Sequence, residues 1–143
     1  TRSASSLATT RRASEHPRMA GAVMAPDLRR FVVAKIHSVP MLEALLLLRS
    51  RGDGWATGEL AARLYLPESR VRQLVGELCH ERLALVENDR ARYAPISDDI
   101  ERMVDALAVT YSRHVVAVTE VIHSGVGRQA RDFADAFVLR RDD

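Results

Sequence analysis

The chain has 143 residues, 47% hydrophobic and 28% charged, enough to bury the core of one domain. Its sequence pI is about 9.1, but the basic excess sits in residues 1–26, where Arg2, Arg11, Arg12 and Arg18 face only Glu15. The single cysteine, Cys79, excludes an intrachain disulfide and a cysteine-rich zinc cage, and it predicts a reducing, cytoplasmic setting.

No apolar run approaches the roughly 18 residues that cross a bilayer, so no membrane partner is expected. The five histidines are scattered, and none stands with carboxylates at a metal-ligand spacing. No nucleophile with a base and an orienting group is visible, and no phosphate-cradling loop. The sequence therefore predicts no catalytic residue, metal or cofactor, and argues against an enzyme.

In chain order, residues 1–26 mix Ser, Thr, Ala, Arg and Pro without a hydrophobic period, which predicts a flexible N-terminal arm. Its arginine-rich, acid-poor character leaves a targeting segment or a minor-groove arm as alternatives. From Asp27, read as an N-cap, residues Leu28, Phe31, Val32, Ile36 and Val39 share one helical face. Pro40 ends that helix or turns the chain into the next. "MLEALLLLRSR", residues 41–51, is apolar nearly all round, as in a helix at the centre of a small bundle, and "GDG" then stops it.

"WATGELAARLYL" predicts a short extended piece and a helix capped by Thr57, with Leu60, Ala61 and Leu64 inward. After a break at Leu66-Pro67, Pro67 and Glu68 open another helix. In it Val71, Leu74, Val75 and Leu78 recur at i, i+3, i+4 and i+7, leaving Arg70, Arg72, Gln73, Gly76, Glu77 and His80 outside.

"LALVEN" and "ARYAPI" then alternate apolar and polar residues around Asn88, Asp89 and Arg90, which predicts a hairpin. Ser97, Asp98 and Asp99 cap a further helix. Ile100, Met103, Val104, Leu107, Tyr111, Val115, Val118 and Ile122 follow at helical spacing, predicting one helix of about 25 residues. Val109, Val116 and Val121 lie off that stripe, so this helix has a second apolar edge and a partner helix is expected. "SGVG" interrupts it, and a short amphipathic helix with Phe133, Ala134, Phe137 and Val138 on one side follows.

The stretch "TGELAARLYLPESRVRQLVGELCHERLALVENDRARYAPIS" resembles the winged helix-turn-helix of bacterial transcriptional regulators, most closely the MarR-like group. The resemblance rests on Leu64, Leu66, Ser69, Val71, Leu74, Val75, Leu78, Leu83, Leu85 and Val86, and spans about 40 residues. It implies a mainly α fold: a winged helix-turn-helix over residues 27–97 with a small β-hairpin wing, then a C-terminal dimerisation region over 98–143 built on a long helix.

The same resemblance implies a homodimer on double-stranded DNA, with the recognition helix in the major groove. Arg70, Arg72 and Gln73 would meet base edges, Ser69 a phosphate or the helix front, and Arg90 and Arg92 the wing-side phosphates. Val104, Leu107, Tyr111, Val115, Val118, Ile122, Phe133 and Phe137 would hold the dimer. A small-molecule effector would bind between the dimerisation and DNA-binding parts, near Met103, Tyr111 and His114.

The chain departs from that pattern in charge. Between Trp55 and Tyr93 stand six arginines (Arg63, Arg70, Arg72, Arg82, Arg90 and Arg92) and six acids (Glu59, Glu68, Glu77, Glu81, Glu87 and Asp89). The wing is also short and weakly basic for the family. A winged helix serving as a protein-interaction module or regulatory adaptor, with no DNA, is therefore the rival expectation.

Overall fold

The computed structural model describes residues 24–125. The expectations for residues 1–23 and for Phe133 and Phe137 lie outside them. Within these bounds the chain is mainly helical, with one three-stranded antiparallel sheet.

Helix α1 (Pro26–Lys35) buries Leu28, Phe31 and Val32. Ala25, not Asp27, holds its cap position; Asp27 lies in the first turn, where a carboxylate suits the helix dipole, and pairs with Arg30. Helix α2 (Val39–Ser50) begins where the Ser38 hydroxyl accepts the Met41 N–H at 3.2 Å, and Pro40 sits harmlessly in its first turn. Met41, Leu42, Ala44, Leu45 and Leu48 are buried, as the all-round apolar pattern requires of a central helix.

Strand β1 (Trp55–Ala56) leads directly into helix α3 (Thr57–Leu64). Thr57 is the first helical residue, and the cap position falls to Ala56. The Glu59 carboxylate compensates by accepting the Ala56 N–H at 2.9 Å, one half of a capping box. Tyr65 ends the helix in the left-handed region, with φ 58°.

Helix α4 (Glu68–His80) follows, then strands β2 (Ala84–Glu87) and β3 (Arg90–Tyr93). Asn88 and Asp89 join the strands with φ of 53° and 62°, the paired positive values of a type I′ turn. Arg90 already belongs to β3, opposite Glu87. The sheet order is β1-β3-β2, with Trp55 opposite Ala91 and Ala56 opposite Arg90. Gly54, at φ +87°, lets the chain enter β1; a Cβ there would stand 2.8 Å from Arg92 Cγ.

The expected single C-terminal helix is two. Helix α5 (Asp98–Arg113) is capped by Ser97, whose hydroxyl accepts the Ile100 N–H at 3.2 Å. At His114 the backbone leaves helical geometry, with φ −139° and ψ 60°, and helix α6 (Val115–Gly125) starts after it. The interruption is offset by burial: Val118, Val121 and Ile122 join the core, Val121 included although it lies off the expected stripe. Gly125 allows α6 to close on α1, since its Cβ position is only 3.4 Å from Val33 Cα.

One apolar cluster therefore runs from Met24 to Ile122 through every helix. Val104, Leu107, Val118 and Ile122, expected at a dimer surface, are fully buried within a single chain. Tyr111 is half-buried and donates to Glu43 at 3.5 Å, and Val115 stays exposed beside Val116. Among the described residues no single helix is long and apolar enough to cross a membrane, and no three His, Cys, Asp or Glu side chains could hold a metal ion.

Candidate nucleic-acid interface

Helix α4 is fixed from behind and at its end. Val71, Leu74, Val75 and Leu78 are buried, and α2 and α3 pack against the helix. Past its last turn the Leu83 N–H donates to the Leu78 carbonyl at 2.9 Å, with Arg82 at φ 63°. Glu81 then ties this end to the α1–α2 connection, accepting from His37 Nε2 at 2.8 Å and pairing with Lys35 Nζ at 3.4 Å. Burial pushes the Glu81 carboxyl upward, but His37 and Lys35 outweigh it and hold the group below its ordinary range.

The opposite face of α4 is open. Ser69, Arg72, Gln73, Gly76 and His80 are exposed along one stripe at helical spacing. Arg70 stands at its flank, half-buried, and donates from Nη1 to the Gln73 side-chain oxygen at 2.9 Å. Arg72 Nη1 lies 3.7 Å from Glu68 Oε1. The four residues expected to meet DNA from this helix thus share one surface, and two of them already touch. At Gly76 an added Cβ would meet nothing within 4 Å, so the stripe has room at its middle.

The two wing arginines are both bonded within the chain. Arg90 donates from Nη2 to the Gly54 carbonyl at 2.8 Å and from Nε to the Asp53 carbonyl at 3.2 Å, and lies 3.6 Å from Glu59. Arg51 meets it there, reaching the Gly54 carbonyl and Glu59 at 2.9 Å each while its guanidinium covers the Trp55 ring. The Ala56 N–H and these arginines hold the Glu59 carboxyl below its usual range. Arg92 pairs with Glu87, and its Nε is buried without a partner among the described residues. Arg90 is thus engaged with the loop before β1 and Arg92 with its neighbouring strand.

Sequence reasoning also missed what the wing does expose. Leu85 and Val86 are 51% and 55% accessible. Val86 joins Thr57, Arg72, Val75, Gly76 and Cys79 around a groove of about 340 Å³ between α4 and the hairpin. Burial pushes the Cys79 thiol up, away from the reactive thiolate. Tyr65 is 93% exposed despite its strained backbone, and only an apolar alternation in the strand hinted at the Leu85 and Val86 pair.

The residues expected around an effector fall into three settings. Met103 lines a groove of about 710 Å³ between α1 and α5, with Leu28, Ala106 and Thr110. Tyr111 leans on Glu43, and its hydroxyl is pushed up by burial and then by that carboxylate. His114 is exposed at the helix break. Comparison with protein-family models, with characterised proteins and with solved structures gave no match.

Proposed function

We propose that this chain is a winged helix-turn-helix DNA-binding regulator of transcription that acts as a homodimer, with α4 as its reading helix. The observation that carries this reading is the uncovered stripe of Ser69, Arg72 and Gln73 on a helix whose other face is wholly core. Arginine suits the paired acceptors of guanine, and glutamine the acceptor and donor of adenine. Helix α3, the turn at Tyr65 to Pro67, α4 and the hairpin follow one another as in a winged unit. With its arginines matched by acids, such a reader gains little from phosphate neutralisation and binds best at low salt.

The test is selection of sheared genomic DNA at two salt concentrations by the wild type and by an Arg72→Ala/Gln73→Ala variant. Both side chains are exposed, so the variant keeps the fold. Enrichment of a few sites by the wild type, lost in the variant, is expected. A folded wild-type protein that enriches nothing at low salt would sink the reading.

A second reading is favoured by a specific observation: Arg72, Arg90 and Arg92 each face a carboxylate, while the wing displays Leu85 and Val86. A protein-binding adaptor would need that surface and no DNA.

A further inference from the structure

Gly76 sits in the middle of α4 without a reason inside the fold. It lies on the exposed stripe, one turn from Arg72 and His80 and beside Gln73 on the same face. Its backbone is ordinary helix, so no positive φ requires glycine there. A Cβ would meet nothing within 4 Å among the described residues, so no close approach within the chain requires it either. Glycine inside a helix nonetheless costs about fivefold in the folding equilibrium relative to alanine.

The missing side chain opens a groove on the same surface. Gly76 lines the space between α4 and the hairpin, where Val75, Cys79, Val86 and Ala91 are its apolar neighbours. Val86 is more than half exposed there, an uncovered valine beside an absent side chain. The charges around the groove are balanced: Arg72 and Asp89 both line it, and Arg72 already has Glu68 at 3.7 Å. A phosphate entering there would gain one arginine and meet two carboxylates, whereas an uncharged apolar group meets no such opposition.

We propose that this notch receives the 5-methyl group of a thymine when α4 lies in the major groove. The inference rests on the DNA reading above and adds a base to it. Base edges in the major groove are donors and acceptors throughout, and the thymine methyl is the one alkyl group among them. An apolar notch on a stripe that otherwise offers arginine and glutamine matches that group and no other on the groove floor. Gly76 lies four residues from Arg72, about 6 Å along the helix axis and so roughly two base steps. The thymine is therefore placed within about two base pairs of the base that Arg72 meets.

The test uses the full chain and the sites it selects from genomic DNA. Each thymine of a selected site is replaced in turn by uracil, which removes the methyl and keeps the pairing. For the wild type, one position in each half-site is expected to lose about fourfold in affinity, the scale of one buried methyl. That position is expected within about two base pairs of the one whose preference Arg72→Ala relaxes. Gly76→Leu fills the notch: it should melt above the wild type, since leucine replaces glycine in a helix, yet bind the site more weakly and no longer distinguish thymine from uracil. A merely structural glycine would not change that discrimination.

The uracil series needs only the wild type, so it decides whether or not the variant folds. Selected sites with no uracil-sensitive position near the Arg72 base, or an unchanged thymine preference in a folded Gly76→Leu protein, would overturn the proposal and leave the role of α4 standing. A folded wild type that enriches no site would overturn the DNA reading and this inference together.

Discussion

The Arg90 guanidinium reaches the Gly54 carbonyl oxygen at 2.8 Å, tying strand β3 to the loop that follows α2 across 36 positions of sequence. Arg90→Ala removes this bond and the one to Asp53 and leaves both carbonyls to water. The site is partly exposed, so the expected loss is about 1 kcal/mol and a melting temperature several degrees lower. DNA affinity should keep the same slope against log salt, because no phosphate contact is removed. A shallower slope with unchanged stability would return Arg90 to the role first expected of it.

Glu68 stands 3.7 Å from Arg72 at the front of α4, and both side chains are more than half exposed. Glu68→Gln frees that arginine and removes a negative charge from the surface proposed to meet DNA. Affinity at low salt should rise roughly fivefold, the scale of one charge interaction at this separation in water, and the gain should shrink as salt is added. The same change should cost about 0.3 to 1 kcal/mol of stability, since an acid in the first turn complements the helix dipole. Titration of the variant on a selected site measures the first effect and thermal melting the second. A fall in affinity would mean that the carboxylate itself contacts a base.

What the sequence disclosed divides by the range of the interactions involved. The buried set Val71, Leu74, Val75 and Leu78 and the hairpin around Asn88-Asp89 depend on periodicity and local turn chemistry, and both stand as expected. The caps at Asp27 and Thr57 were displaced by one or two residues, because Ala25 and Ala56 take the positions without a capping side chain. The helix break at His114 has no proline or glycine beside it to announce it. The bonds of Arg90 and Arg92 were illegible because an arginine tied to a distant backbone carbonyl, as Arg90 is, or to a carboxylate of the neighbouring strand, as Arg92 is, looks in sequence like one waiting for phosphate. On the candidate surface, the exposure of the α4 residues was legible from periodicity, and the intrachain bonds of Arg90 and Arg92 were not.

Tyr93 closes β3 with its hydroxyl oxygen buried and, among the described residues, without a hydrogen-bond partner. Burial, and then Asp105 and Glu101, push this hydroxyl up to about 12, against a smaller pull from Arg49. An unpaired buried hydroxyl carries its desolvation cost without return, so Tyr93→Phe should be neutral or stabilising by up to about 1 kcal/mol near neutral pH.

The alkaline behaviour of Tyr93 follows from linkage. The unfolded chain ionises this tyrosine near its ordinary value of about 10 while the folded chain still holds the proton, so wild-type stability falls as pH rises from about 10 toward 12. The phenylalanine variant lacks that loss, and its advantage should widen over this interval. Urea midpoints of both proteins at about pH 8 and about pH 11 measure it; a constant gap would show that the hydroxyl ionises as freely in the folded chain as in the unfolded one.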